Sequence, residues 1–289
     1  MALQKWTFSS TPADLGLRLD QLVAKHTGLS RRAAREVLKL GGVQVERKRV
    51  RVAGKMIQAG IEIRVAFDAD LPAVPTVQIP VVFEDPWLLV VNKPTGLPTQ
   101  GTWASDRHDL LALIKTQRPE LKLFLHHRLD QGTSGLLIFS KDTSINAELT
   151  RKFTEHGVRK TYLARVSKPL DACTVDRPIG RLRNAVPGRF GVEGDLMEPK
   201  NAITDFRPAT TEESAGLPIG HWIIAEPRTG RTHQIRVHLA SLDAPVRGDW
   251  LYGGEEAPEL ELHAWKLALN HPATGQEIEF VAPPRWISR

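Results

Sequence analysis

Two stretches with helical spacing of apolar residues lie near the start of the chain. The first repeats apolar residues on one helix face: Leu19, Leu22 and Val23. Gly28 can end this helix, and Ser30 is a suitable N-cap for a second helix over Arg31–Leu40, which Gly41 can close. The second helix has two faces. Its packing face holds Ala34, Val37 and Leu38, and its cationic face holds Arg31, Arg35 and Lys39.

Three short runs rich in β-branched and apolar residues follow, at residues 43–45, 50–52 and 61–66. Lys48 and Gly54 mark the turns between them. Residues 68–80 contain three prolines and no helical spacing, which is typical of an extended linker. The pattern therefore predicts an N-terminal α/β module over residues 1–70, a linker over residues 71–80 and a second domain over residues 81–289.

The second domain shows longer β-rich runs and two substantial helices. The predicted strands cover residues 81–83, 88–91, 136–140, 160–166 and 221–225. Asp142 can cap a helix that runs to about residue 156, and a second helix covers about residues 231–242. The second helix has a packing stripe of Ile235, Leu239 and Leu242. Strands and helices do not alternate regularly, so the pattern favours an α+β fold over a doubly wound sheet.

The positive charge of the chain is concentrated in the N-terminal module. The 289 residues carry a formal net charge of +6, yet residues 18–64 hold 12 Lys or Arg against 4 Asp or Glu. The rest of the chain is therefore negative on balance. A short segment with all of the excess positive charge is typical of a nucleic-acid-binding module. A solvated basic face that only keeps the protein soluble is the alternative.

Composition and motifs exclude several other classes. The chain is 41% hydrophobic and 25% charged, as in an ordinary globular protein, and its central apolar runs are too short to cross a bilayer. Cys173 is the only cysteine, so no internal disulfide can form, and a reducing, cytoplasmic setting is expected. The chain has no P-loop, dinucleotide fingerprint or hydrolase serine motif. His233 and His238 are five residues apart on a predicted helix, which does not suit a zinc site.

The candidate chemistry centres on the run HRLDQGTSGLL at residues 127–137. This run puts the carboxylate of Asp130 between Arg128 and a Thr-Ser-Gly turn, just before a strand-like stretch. Four further blocks follow it along the chain: KTY at residues 160–162, RTGRTHQIRVHL at residues 228–239, GD and LYG between residues 248 and 253, and LHA at residues 262–264.

These blocks, in this order, resemble the RluA-type family of RNA pseudouridine synthases over roughly residues 81–285. The resemblance implies a mixed, largely antiparallel sheet with flanking helices. It also implies isomerisation of uridine, in which the base is detached from ribose, rotated and reattached through C5. This reaction is redox-neutral and requires no cofactor and no metal.

The resemblance implies roles for four side chains. Asp130 acts as nucleophile or base, by attack at ribose C1′, addition at uracil C6 or removal of the C2′ proton; all three need an ionised carboxylate. Arg236 supplies the neighbouring cation. Tyr162 stacks on the uracil, and its hydroxyl can assist in removing the C5 proton. Arg128 fills the gap that a flipped-out base leaves.

The N-terminal module resembles the S4 RNA-binding domain over about residues 17–66. In that domain a basic helix and the adjoining loop bind RNA phosphates, which positions the protein without reading sequence. The predicted phosphate contacts are Arg31, Arg32, Arg35, Lys39, Arg47 and Lys48.

Three functions remain open from the sequence. The first is a monomeric isomerase that acts on structured RNA, with large-subunit ribosomal RNA ahead of transfer RNA and with no membrane association. The second is a catalytically silent RNA-binding or ribosome-assembly factor on the same scaffold, although such a factor would have no reason to keep Asp130, Tyr162 and Arg236 together. The third is a glycoside or nucleoside hydrolase, which normally needs a second carboxylate that the matching blocks lack.

Overall fold

The computed structural model describes residues 3–69, 77–155 and 157–286, which divide into two compact units. The first unit contains residues 3–69, 77–78 and 100–118, and the second contains residues 79–99, 119–155 and 157–286. The sequence assigned residues 100–118 to the second domain, whereas the structure groups them with the N-terminal module. Residues 71–76 of the predicted linker, and residue 156 near a predicted helix end, lie outside the described residues.

The first unit has three α-helices, one short 3₁₀ helix (Pro12–Asp14) and one antiparallel sheet in its described residues. Its elements are β1 (Gln4–Ser9), α1 (Leu19–Thr27), α2 (Arg31–Leu40), β2 (Val43–Val45), β3 (Lys48–Arg49), β4 (Glu62–Phe67) and α3 (Leu110–Gln117). The strand order is β1-β4-β2-β3. Helix α2 confirms the sequence prediction in detail. Ser30 accepts a hydrogen bond from the backbone N–H of Ala33, and Gly41 ends the helix in the left-handed conformation (φ 87°).

One predicted strand of this unit is wrong, and one observed strand was not predicted. The predicted strand at residues 50–52 is wrong, since β3 covers Lys48–Arg49. The chain reverses within two residues, Glu46 and Arg47, which both adopt positive φ (48° and 65°) and pair Val45 directly with Lys48. Strand β1 was not predicted, because only its half-buried Trp6 and Phe8 face the core of the unit.

The second unit is built on a ten-stranded sheet. Its strands in chain order are β5 (Val81–Glu84), β6 (Leu88–Lys93), β7 (Phe124–Leu125), β8 (Ser134–Ser140), β9 (Val158–Val166), β10 (Cys173–Asp176), β14 (Ile203–Pro208), β15 (His221–Pro227), β16 (Leu262–Asn270) and β17 (Glu277–Val281). The main strand order is β10-β14-β15-β9-β16-β8-β6-β5, with β17 beside β16 and β7 beside β8. Only the β16–β8 pair among the described strands is parallel, so the predicted largely antiparallel α+β fold is confirmed.

Smaller elements complete the second unit. They are α4 (Asn146–Thr154), α5 (Gln234–Ser241) and a three-stranded sheet of β11 (Ile179–Leu182), β12 (Phe190–Gly191) and β13 (Leu196–Lys200) in the order β12-β11-β13. Helix α5 begins three residues later than predicted, because His233 adopts the left-handed conformation (φ 57°) at its N-cap. No helix in the described ranges is long and apolar enough to cross a membrane.

The core of the second unit places α5 against the sheet. Ile235 and Leu239 of α5 are buried in one cluster with Ala164 of β9 and Ile223 of β15, and Leu242 packs against the same cluster, so the predicted stripe is confirmed. Strand β9 alternates between two faces, because Leu163 lies in a different cluster from Ala164. This packing brings the N-terminal end of α5 to the strand that carries Tyr162.

Candidate active site

Asp130 lies in the loop that leads into β8, and the residues on both sides of it are fixed. The backbone N–H of Leu129 donates to Thr99 Oγ1 at 3.1 Å, and the same hydroxyl donates to the carbonyl of Leu129 at 2.7 Å. On the other side, the N–H of Thr133 donates to the carbonyl of Asp130 at 3.1 Å. The carboxylate of Asp130 is 21% exposed, so it is accessible from a loop that is itself held in place.

Arg236 is the cation beside this carboxylate. Its Nη1 lies 3.5 Å from Asp130 Oδ2. The other two nitrogens, Nε and Nη2, donate to the two oxygens of buried Asp249 at 2.6 and 2.8 Å, and the guanidinium lies 5.1 Å from the ring centroid of Tyr252. Asp249 therefore fixes the plane of the guanidinium and leaves Nη1 for Asp130.

His233 is a second group that faces the carboxylate. Its Nε2 lies 3.9 Å from Asp130 Oδ2, and its Nδ1 is 2.9 Å from the hydroxyl of Tyr252. Burial lowers the pKa of His233, and the negative charge of Asp130 opposes this shift only in part. The imidazole is therefore neutral near neutral pH. The left-handed backbone of His233 is uncommon for a residue other than glycine, and such conformations concentrate at functional sites.

The side chains that the sequence singled out in the second unit line one cavity of about 310 Å³. Asp130, Tyr162, Arg236 and Arg128 all contribute to its lining, together with His233. Burial raises the pKa of Tyr162 above its ordinary value, and the charge of Asp130 adds to the effect, so the phenol stays protonated. The guanidinium of Arg128 is partly exposed and donates to Thr232 Oγ1 at 3.2 Å. The cavity is of the size of small ligand sites.

Lys93 supports the loop of Asp130 from within the protein. Its side chain is fully buried, and its Nζ donates to the carbonyls of Pro94, Leu97 and Gln131 at 2.9, 2.8 and 3.2 Å. Burial lowers the pKa of Lys93 to about 7, and the charge of Asp130 acts in the opposite direction. Since Gln131 follows Asp130 directly, this ammonium group ties the strand β6 to the site.

His127 has a structural role in this geometry, although it precedes Asp130 by only three residues. Its ring stacks on Phe153 at 4.2 Å between centroids, and its Nε2 accepts from the backbone N–H of Ile138 at 3.0 Å. Burial lowers the pKa of His127 to about 3, with a smaller contribution from nearby Lys160. A neutral, stacked imidazole anchors the start of the Asp130 loop to β8.

The six cationic residues predicted to contact phosphate lie in the first unit. The structure brings Arg31 and Arg35 together around the buried carboxylate of Asp20, at 3.2 and 2.7 Å. Lys39 lies 3.9 Å from Glu36 on the same helix, and Arg32 is exposed. The other two, Arg47 and Lys48, are exposed at the β2–β3 hairpin.

Sequence reasoning missed four residues of this site. Asp249, Tyr252, His233 and Lys93 hold Arg236 and the Asp130 loop in place, yet none had an assigned role. Asp249 and Tyr252 do lie in the GD and LYG blocks, which are part of the resemblance to the family. The signal for Lys93 was a single lysine at the end of a strand that begins with four buried apolar residues.

A family model described as RNA pseudouridylate synthase matches residues 87–241, the stretch that carries Asp130, Tyr162 and Arg236. The chain belongs to this family. It is an RNA pseudouridine synthase of the RluA type, and its reaction is an isomerisation. The prediction of an RNA-modifying isomerase is therefore confirmed.

Relatives with different substrates show similar identity. The chain is 35% identical to the tRNA pseudouridine synthase C of Salmonella typhi over 218 residues, which cover 68% of this chain and 82% of that protein. It is 33% identical to the ribosomal large subunit pseudouridine synthase D of Vibrio cholerae over 307 aligned positions, covering 94% and 89% of the two chains. The solved structure of human RNA pseudouridylate synthase domain containing 1 matches with a TM-score of 0.59 and 29% identity over 72% of this chain and 84% of its own.

Proposed function

We propose that Asp130 is the catalytic carboxylate with which this enzyme isomerises uridines in structured RNA. The observation that carries the proposal is the position of its Oδ2, 3.5 Å from Nη1 of Arg236 in the wall of the cavity. The fixed guanidinium of Arg236 forms an ion pair with this carboxylate. Attack at C1′, addition at C6 and removal of the C2′ proton all need an ionised carboxylate.

Tyr162 and Arg128 are the residues that we propose act when the uridine is flipped out and its base is bound. The raised pKa of Tyr162 keeps its hydroxyl protonated, which favours stacking on the uracil and hydrogen-bond donation over direct removal of the C5 proton. Arg128 lies at the exposed side of the cavity, where it can fill the place of a flipped-out uridine. Flipping costs a few kcal/mol, and a side chain that fills the vacated stack offsets part of that cost.

We propose that the first unit is an S4-like module that delivers the RNA through phosphate contacts. Its exposed arginines and lysines, including Arg32, Lys39, Arg47 and Lys48, suit a sequence-independent contact with the backbone. The substrate would be large-subunit ribosomal RNA, because the large-subunit relative aligns over 94% of this chain and the transfer-RNA relative over 68%. Transfer RNA is the second candidate, favoured by the slightly higher identity of 35%.

We propose that the reaction runs in the cytoplasm with a monomeric enzyme and without a cofactor. Uridine and pseudouridine have the same atoms and the same oxidation state, so the isomerisation consumes no reductant and no nucleotide.

The test compares the wild-type enzyme with Asp130→Asn on transcripts of large-subunit ribosomal RNA and of transfer RNA. Pseudouridines are mapped by carbodiimide labelling and primer extension. Asp171→Asn, at an exposed residue outside the cavity lining, is the matched control. We expect modification by the wild type and the control, mainly in ribosomal RNA, and none by Asp130→Asn. Modification by Asp130→Asn would refute the catalytic assignment, and modification of transfer RNA alone would refute the preferred substrate.

A further inference from the structure

Three arginines of the first unit surround one buried carboxylate. Asp20 has no exposed side-chain surface, whereas Arg18, Arg31 and Arg35 are each about half exposed. Arg35 Nε and Arg31 Nη2 lie 2.7 and 3.2 Å from Asp20 Oδ2, and Arg18 Nε lies 3.6 Å from Oδ1. We call these three side chains the arginine cluster. The negative charge of Asp20 is buried and the three arginine charges are partly exposed, so the cluster and Asp20 together carry a net double positive charge.

Two helices that share one hydrophobic core hold the cluster. Arg31 and Arg35 lie one turn apart on α2, whose opposite face is buried in the core of the unit. Asp20 belongs to the first turn of α1, and Arg18 is the residue just before that helix. A Cβ added at Gly54 would lie 3.1 Å from Nη2 of Arg18, so the absence of a side chain there leaves room for the guanidinium.

Stability alone is a poor explanation for this arrangement. Removing a carboxylate from water is costly, and ion pairs with half-exposed partners return little of that cost. Hydrogen bonds from Arg35 and Arg31 outweigh the effect of burial and lower the pKa of Asp20, so its charge persists at neutral pH. What the carboxylate does achieve is order, because it restricts the rotamers of long side chains that would otherwise be mobile.

Ordered guanidinium groups match a phosphate. The planar guanidinium forms paired hydrogen bonds with phosphate oxygens, and side chains already held in place lose less entropy on binding. Arg31 and Arg35 were expected to contact RNA from their place on the basic helix, whereas Arg18 and Asp20 had no assigned role.

We propose that Asp20 is a positioning residue that holds Arg18, Arg31 and Arg35 as a preformed binding site for an RNA phosphate. This inference rests on the proposed role of the first unit in RNA binding. In this proposal the negative charge of Asp20 favours RNA binding. Long-range electrostatics alone predicts instead that a negative charge inside a basic surface weakens RNA binding.

The sign of the effect of Asp20→Asn separates the two explanations. The substitution raises the net charge by one, so electrostatics alone predicts tighter RNA binding. If Asp20 positions the cluster, the affinity of the full-length protein for a large-subunit ribosomal RNA transcript falls about tenfold, and the salt dependence of binding becomes shallower. Glu62→Gln is the matched control, since it makes the same change of charge at a partly exposed residue that pairs with Arg64 at 2.8 Å. It should bind as the wild type does or slightly more tightly.

Thermal unfolding establishes that each variant is folded at the assay temperature. If Asp20→Asn is not folded at that temperature, Arg18→Lys is used instead, because it keeps the charge and removes the planar guanidinium. A several-fold loss of RNA affinity is then expected. The inference is overturned if the folded variant binds RNA as tightly as the wild type does, or more tightly. The readout for these variants is RNA affinity, whereas failure of the proposed catalytic function would appear as retained modification by Asp130→Asn.

Discussion

Replacing Asp249 with alanine removes the group that fixes Arg236. The carboxylate of Asp249 is fully buried and accepts hydrogen bonds from Nε and Nη2 of Arg236 at 2.6 and 2.8 Å. The substitution leaves a largely buried guanidinium without its partner, which costs about 3–5 kcal/mol for a buried pair. Two charge-assisted hydrogen bonds at about 1.5–3 kcal/mol each give a similar range. We therefore expect the free energy of unfolding to fall by about 3–5 kcal/mol.

Turnover should fall along with stability, because Arg236 can then move away from Asp130. A displacement of about 1 Å at a reacting group costs about 100-fold in rate, and we expect a loss of that order in single-turnover experiments at saturating RNA. Asp249→Asn keeps one acceptor oxygen and should show smaller losses in both measurements. Urea unfolding supplies the free energies, and turnover is measured at a temperature at which each variant is folded.

A second bidentate pair in the same unit provides the control. Asp205 binds Nε and Nη2 of Arg228 at 2.6 and 2.7 Å, but the Arg228 side chain is 58% exposed. Asp205→Ala should therefore cost only about 0–1 kcal/mol, with turnover unchanged. The reasoning is refuted if Asp249→Ala costs no more than Asp205→Ala, or if it loses stability while the folded protein keeps wild-type turnover.

Two further predictions concern Tyr162 and Lys93. Tyr162→Phe keeps the ring, so RNA affinity should stay constant while turnover falls about tenfold through loss of one buried hydroxyl; wild-type turnover would restrict Tyr162 to stacking. Lys93 has a pKa of about 7 in the folded protein, against an ordinary value of 10.5. Between these values the unfolded chain binds more protons than the folded chain, so raising the pH stabilises the fold by about 1.4 kcal/mol per pH unit. Urea titrations at pH 7, 8 and 9 should show this rise in the free energy of unfolding for the wild type but not for Lys93→Met. If the difference in free energy of unfolding between the wild type and Lys93→Met does not change with pH, the lowered pKa of Lys93 is contradicted.

Local signals predicted much of the fold because the deciding interactions are close in sequence. Ser30 and Gly41 mark the ends of α2 within hydrogen-bond reach of the helix itself. The alternation along β9 reflects two faces that pack in different clusters. These patterns depend on neighbours a few residues away, so a single sequence contains the information.

The misassigned elements depend on backbone states that a residue type does not reveal. Glu46 and Arg47 turn a hairpin with positive φ at both positions, where Asn or Gly would have signalled the turn. His233 likewise takes a left-handed conformation and delays the start of α5. Both positions hold residues that seldom adopt this backbone state, and tertiary packing overrides the local preference.

The supporting side chains of the site were not predictable because their partners are distant along the chain. Asp249 pairs with Arg236 across 13 residues, and Lys93 reaches the carbonyl of Gln131 across 38. The family resemblance implied that Asp130 and Arg236 act together, but it did not show that a third residue fixes the arginine. Such contacts exist only once the sheet and α5 have come together.

Release of tritium from uridine labelled at C5 tests most directly whether Asp130 performs the isomerisation, because the C5 hydrogen is lost only when the new C–C bond has formed. Wild-type enzyme, Asp130→Asn and Asp171→Asn are compared on labelled large-subunit ribosomal RNA, with folding of each checked by thermal unfolding. We predict that Asp130→Asn releases tritium about 1000-fold or more slowly than the wild type while Asp171→Asn is unaffected. Release by folded Asp130→Asn within about tenfold of the wild-type rate would contradict the account.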